Sequence, residues 1–136
     1  MKILGLDYGE ARTGVAISDE LGMLAHGVET IEHGTNEKKL LERIKELIVA
    51  NKIQKIVIGY PLNMNATKGP RIEKTDKLIE KLKKETGLEI IKIDERLTTV
   101  SAHRTMTELK LAKDKKKKLV DTISATYILQ MYLDRN

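Results

Sequence analysis

The chain has 136 residues, of which 33% are charged, and a formal net charge of +5 with no cysteine. This length predicts a single domain over residues 1–136 with its own core, and the lack of cysteine excludes disulfides and thiolate metal sites. No apolar run approaches the roughly 20 residues of a membrane span, and a glycine and an aspartate come too early for a signal peptide. We therefore expect a cytoplasmic protein with no membrane partner.

Positive charge is concentrated in the last quarter of the chain. Residues 101–136 carry 8 Lys and Arg against 4 Asp and Glu, a net of +4, whereas residues 1–100 carry 17 against 16, a net of +1. A cationic segment suits a polyanionic partner such as nucleic acid, although a solvated surface would carry the same charge. The four tyrosines are the only aromatic residues, which argues against binding by rows of stacked rings.

The first eighteen residues have the pattern of a β-hairpin. An apolar run over residues 3–6 is followed directly by Asp7. Gly9 and Gly14 then mark a turn, and a second apolar run covers residues 15–17. A carboxylate at the end of a buried strand is costly to desolvate unless a metal ion or a cation compensates its charge. Asp7 is therefore a site candidate, and its alternative role is to cap the hairpin turn.

The rest of the chain alternates between patterns typical of strands and of helices. Strands are predicted over 23–31, 55–59 and 88–93, and helices over 37–48, 71–85 and 119–133. Asn36 or Thr35 is expected to cap the first helix, and Gly87 to end the second. A loop over 60–70, a short helix over about 98–111 and a basic loop over 113–118 complete the pattern. This order predicts an α/β fold with a mixed sheet flanked by helices.

Three carboxylates interrupt apolar patterns and are candidates for a functional site. Asp7 ends the first strand, and Glu95 continues one face of a later strand just past its last apolar residue. Asp121 lies on a helical stripe that should face the sheet, since residues 127–133 are apolar nearly all round. An aspartate in a first helical turn also compensates the helix dipole, so a structural role for Asp121 stays open.

Acidic groups that converge on one place repel one another unless cations lie between them. Carboxylate oxygens favour Mg²⁺ or Mn²⁺, and two such ions can activate a water and stabilise the leaving oxygen of a phosphodiester. His26, His33 and His103 share no metal-binding spacing, so zinc is not expected.

Four segments in order carry a resemblance to a known family: LGLDYGEARTGVAISD, GYPLNMNATKG, DERLTTVSA and DTISATYILQMYL. Together they resemble the Holliday junction resolvase-like proteins of the ribonuclease H superfamily, usually described as pre-16S rRNA nucleases. The resemblance implies a ribonuclease H-like fold, with a five-stranded mixed sheet flanked by helices on both faces. It also implies that Asp7, Glu95 and Asp121 are the catalytic, metal-binding residues. Asn65 and Ser124 depart mildly from the family pattern.

A second set of residues is expected to contact nucleic acid. Arginines, hydroxyls and lysines favour phosphate oxygens, although a turn arginine, a helix-capping threonine or a solvated lysine run is the plain alternative. The set comprises Arg12, Arg96, Thr98, Thr99, Lys115, Lys116, Lys117 and Lys118.

Three other functions stay open. The first is a resolvase that acts on branched DNA rather than on precursor rRNA. A resolvase that cuts two strands symmetrically would need a two-fold dimer, so the oligomeric state is undetermined. A non-catalytic RNA-binding factor could keep the same fold. An actin-like ATPase or sugar kinase uses a similar hairpin, but it needs a second lobe that 136 residues do not supply.

Overall fold

The computed structural model describes residues 1–61, 69–94 and 113–135, with the backbone alone for residues 113–121. These residues form five strands and three helices. In chain order they are β1 (Lys2–Tyr8), β2 (Arg12–Ser18), β3 (Ala25–Glu32), α1 (Glu37–Asn51), β4 (Ile53–Tyr60), α2 (Pro70–Thr86), β5 (Glu89–Asp94) and α3 (Lys113–Asp134).

The five strands form one mixed sheet in the order β3-β2-β1-β4-β5. Short connections make β1, β2 and β3 antiparallel neighbours, whereas α1 and α2 carry the chain over to β4 and β5, which run parallel to β1. The C-terminal ends of β1, β4 and β5 therefore meet at one edge, here called the carboxyl edge. The predicted five-stranded mixed sheet is confirmed.

Helices cover both faces of the sheet, as expected. Side chains alternate along β1, so Leu4 and Leu6 join the core beneath α1 and α2, while Ile3 joins the core beneath α3. We call these the α1/α2 face and the α3 face. None of the described helices is long and apolar enough to span a membrane.

Both predicted helix ends are confirmed. The side chain of Asn36 accepts a hydrogen bond from the backbone N–H of Lys39 at 3.0 Å and so caps α1. Gly87 ends α2 in a left-handed conformation with φ of 71°, and its N–H donates to the carbonyl of Lys83 at 2.9 Å.

The basic loop predicted over 113–118 is wrong, because α3 begins at Lys113 and not near residue 119. Lysine is a good helix former, and Asp114 stands four residues before Lys118, a spacing that supports a helix. The predicted loop over 60–70 is shorter at both ends, since Tyr60 pairs with Asp94 in the sheet and Pro70 begins α2. The predicted helix over 98–111 lies outside the described residues.

Candidate active site

Asp7 lies one residue before the end of β1, at the carboxyl edge of the sheet. Its Cα partner on the neighbouring strand is Gly14, and its side chain is half-buried. Because Ile3 packs against α3 and side chains alternate, Gly5 and Asp7 belong to the α3 face. The carboxylate that the sequence singled out therefore lies beside the last helix.

Two close contacts bring the middle of α3 against the strands at this face of the sheet. A Cβ built on Gly5 would lie 3.2 Å from the carbonyl oxygen of Ala125 and 2.7 Å from Cβ of Leu129. The Oγ1 atoms of Thr30 and Thr122 are 3.0 Å apart, and Thr30 is the Cα partner of Gly14.

These contacts define where residue 121 of the helix stands. Asp121 precedes Ala125 by four residues, about one turn, and so follows the same side of α3 toward the carboxyl edge. Since Asp7 follows Gly5 by two residues on the strand, helix position 121 and strand position 7 lie at the same end and on the same face of the sheet. Convergence of the two carboxylates stays a prediction, because the structure describes only the backbone of Asp121.

The third carboxylate, Glu95, lies outside the described residues, directly after the last residue of β5. Ile93 belongs to the core beneath α3, and Asp94 is the Cα partner of Tyr60. Ile93, the residue before Asp94, therefore lies on the same face of the sheet as Asp7. Asp94 itself belongs to the opposite face, which it shares with its Cα partner Tyr60.

No three Asp, Glu, His or Cys side chains lie close enough to hold a metal ion within the part of the chain that the structure describes. The predicted metal set includes Glu95 and the side chain of Asp121, which are outside that part. His33 is committed elsewhere, since its Nδ1 is 2.8 Å from the carbonyl of Gly34 and its Nε2 is 2.9 Å from Oγ1 of Thr13.

The residues predicted to bind nucleic acid are placed only in part. Arg12 begins β2 and, two residues before Gly14, lies on the α3 face at the carboxyl edge, as Asp7 does. The backbone of residues 115–118 belongs to the first turns of α3. Arg96, Thr98 and Thr99 lie outside the described residues.

Burial of His33 lowers the pKa of its imidazole, which a nearby lysine, Lys39, lowers further and the Gly34 carbonyl partly restores. With Nδ1 donating to that carbonyl, Nε2 of the neutral ring accepts from the hydroxyl of Thr13. The backbone N–H groups of His33 and Gly34 both donate to the carbonyl of Ala11. His33 and Gly34 thus hold the turn between β1 and β2 in place through hydrogen bonds to Ala11.

Sequence reasoning missed one feature at this edge of the sheet. A cavity of about 240 Å³ opens on the α1/α2 face beside Tyr8, and Arg71, Lys74 and Lys77 line it. The only signal of this cavity in the sequence was Arg71, directly after Pro70. A proline at a helix start predicts that the next residue lies in the first turn of the helix.

Comparison with known proteins agrees with the family that the motifs indicated. The family described as RuvX, Holliday junction resolvase, matches residues 1–135. A relative from Ruminiclostridium cellulolyticum, named "Putative pre-16S rRNA nuclease", is 56% identical over 135 residues, which cover 99% of this chain and 95% of the relative.

Solved structures share the fold at low sequence identity. RuvC of Thermus thermophilus superposes with a TM-score of 0.60 at 9% identity and covers 99% of this chain and 96% of its own. The resolvase of Fowlpox virus, solved with Holliday junction DNA, also gives a TM-score of 0.60, at 12% identity with 99% and 98% covered. The ribonuclease H-like fold expected from the sequence is confirmed by these neighbours. The match of the family model over residues 1–135 shows that the chain belongs to the RuvX family.

Proposed function

We propose that the protein is a metal-dependent nuclease that hydrolyses phosphodiester bonds and processes the 5′ end of precursor 16S rRNA in the cytoplasm. One observation supports the proposal: α3 packs closely against the strands beside Asp7, with Gly5 against Ala125 and Thr30 against Thr122, the residue directly after Asp121. The name of the Ruminiclostridium cellulolyticum relative supports the choice of precursor rRNA as substrate.

Asp7, Glu95 and Asp121 would hold Mg²⁺ or Mn²⁺. The donor set fits these ions because it consists of carboxylate oxygens alone, and because the ring nitrogens of His33 bond to Thr13 and Gly34. When bound, two such ions supply charge stabilisation for both the attacking and the leaving oxygen. The protein's own part would be to hold Asp7 on β1 and Asp121 on α3, a strand and a helix that pack tightly.

The substrate strand would be held by cations and hydroxyls around this edge. Arg12 shares the face of Asp7, and an arginine can form two parallel hydrogen bonds to one phosphate. The same role is proposed for Arg96, Thr98, Thr99, Lys115, Lys116, Lys117 and Lys118.

Branched DNA is the second candidate substrate. The description of the family and the fold shared with the Fowlpox virus resolvase favour it. RNA and DNA differ at the 2′-hydroxyl, so the choice between them depends on contacts to the sugar as well as to phosphate.

Cleavage of matched precursor 16S rRNA and four-way DNA junctions, each with Mg²⁺, Mn²⁺ or EDTA, tests the proposal. We expect cleavage of the rRNA precursor near its 5′ end with either metal and none with EDTA. Asp7→Asn and Asp121→Asn should abolish cleavage. Asp134→Asn, at the opposite end of α3, is the matched control and should retain it.

Cleavage of the DNA junction alone would replace the rRNA proposal with the resolvase function. Cleavage that persists in EDTA, or in both site variants, would contradict a metal-dependent site at these carboxylates.

A further inference from the structure

The cavity beside Tyr8 lies across the sheet edge from the candidate active site. Its walls come from the turn after β1, from the start of α1 and from the first turns of α2. Tyr8 follows Asp7 directly, and alternation sends the two residues to opposite faces of the sheet. A strand bound at Asp7 that passes around the carboxyl edge would therefore reach this cavity next.

Three cations on one side of α2 line the cavity. Arg71, Lys74 and Lys77 follow one another at intervals of three, so they are neighbours on the helix surface. We call these three residues and the cavity the cationic pocket. Lys74 and Lys77 are exposed and take part in no ion pair within the described residues.

The acidic residues of the lining do not cancel this charge. Glu37 is already paired, because its carboxylate accepts a hydrogen bond from Nζ of Lys81 at 2.8 Å. Glu10, the other carboxylate of the lining, is exposed in the hairpin turn. The cationic pocket therefore keeps an excess of positive charge that a phosphate group could neutralise.

The cationic pocket is also held in a fixed shape. The guanidinium of Arg71 donates a hydrogen bond to the backbone carbonyl of Tyr8, which ties α2 to the end of β1 and uses one of its five N–H groups. The rings of Tyr8 and His33 stack with centroids 6.2 Å apart. A binding site that is already organised loses less entropy when its ligand binds.

We propose that the cationic pocket binds a phosphate group of the nucleic-acid strand whose cleaved bond lies at Asp7. The inference rests on the proposed nuclease function and adds a second contact surface on the opposite face of the sheet. Arginine binds phosphate through its planar fork, and lysines act as point charges, so the contact is independent of base sequence. The phosphate belongs to the strand backbone or to its 5′ end.

Binding measured against salt concentration tests the proposal. The variant Lys74→Ala/Lys77→Ala is compared with Lys83→Ala/Lys84→Ala, which removes the same charge from two exposed residues in the last turn of α2. With a short single-stranded RNA in EDTA, two lost contacts should reduce the slope of log K against log salt by about 1.4. The same two contacts correspond to about 25-fold weaker binding at 0.1 M salt.

The control pair should change the slope and the affinity far less. Equal effects of the two pairs would mean that only the net charge of the protein matters, and would overturn the proposal.

Chemical shifts locate the contact directly and identify its source. Gly9, Gly34 and Thr35 line the cationic pocket, and their backbone amide signals should shift with inorganic phosphate and with RNA trinucleotides. A 5′-phosphorylated trinucleotide that shifts these amides much more than an unphosphorylated one indicates an end phosphate, whereas equal shifts indicate a backbone phosphate. No shift with any of the three ligands would overturn the proposal.

The two proposals can fail separately. Amide shifts at the cationic pocket without cleavage by the wild-type protein would refute the nuclease function and leave the phosphate site standing. Metal-dependent cleavage with identical binding by the two lysine pairs would refute the phosphate site and leave the nuclease function standing.

Discussion

Replacing Gly5 by alanine should push α3 away from the sheet and disturb the candidate active site. The added Cβ would lie 2.7 Å from Cβ of Leu129 and 3.2 Å from the carbonyl oxygen of Ala125. Two carbon atoms in contact are normally about 3.5–4.0 Å apart, so helix and strand must separate by about 1 Å. Neither contact is the end of a flexible side chain, because one atom is a Cβ and the other belongs to the backbone.

The free energy of unfolding should fall by about 1–2 kcal/mol. Overpacking of a core costs about 1–3 kcal/mol, and the lower entropy of the unfolded alanine chain offsets about 0.4–1 kcal/mol of that. For a chain of this size the melting temperature should drop by about 3–10 °C. Because a 1 Å misplacement can reduce a rate about 100-fold, cleavage should suffer more than stability.

Thermal melting and cleavage kinetics measure the two effects. Gly87→Ala is the matched control: φ is 71° there, no atom lies within 4 Å of the added Cβ, and the residue is at the far end of α2. It should lose stability through its left-handed backbone, by about 1–2 kcal/mol, and keep the cleavage rate. A Gly5→Ala variant that melts at the wild-type temperature would refute the close approach of α3 to β1. Reduced stability with an unchanged cleavage rate would refute the role of α3 in positioning Asp121.

Three further predictions concern charge. In EDTA, Asp7→Asn and Asp121→Asn should melt at or above the wild-type temperature, because crowded carboxylates repel each other without metal. A large loss of thermal stability in both variants would instead indicate that these carboxylates cap a turn or helix or form ion pairs. Replacing residues 115–118 by serine should weaken nucleic-acid binding and reduce its salt slope by about 0.7–0.9 per lost phosphate contact, whereas equal slopes would mean that these lysines never touch the substrate. Because burial lowers the pKa of His33, the unfolded chain binds more protons below about pH 6.5 and stability should fall as the pH falls from there. Denaturant unfolding of His33→Gln between pH 5.5 and 7 should show a flatter pH dependence than the wild type.

The sequence by itself determined the elements that local patterns control. Periodicity predicts the apolar stripe of α1, and backbone preferences within a few residues predict its cap at Asn36. The same kind of local preference predicts that Gly87 ends α2. The four motifs likewise identified the family and, through it, the fold. The sequence also made Asp7 a site candidate, because a carboxylate at the end of a buried strand is costly to desolvate.

Local patterns misjudged the start of α3. The run of lysines over 115–118 has a polar composition typical of loops, yet its helical propensity lets the helix begin at Lys113. Composition reports how a segment interacts with water, whereas the extent of a helix depends on backbone propensity and on the packing of its later turns.

Only the tertiary structure decided which residues share a face of the sheet edge. Nothing in the sequence distinguishes Gly5 from another strand glycine, but it allows α3 to approach β1 closely at Ala125 and Leu129. The cationic pocket depends on α2 crossing the end of β1, where Arg71 meets Tyr8 across 63 positions of sequence. Such contacts follow from how the layers pack, and no local pattern encodes them because the partners are far apart in the chain.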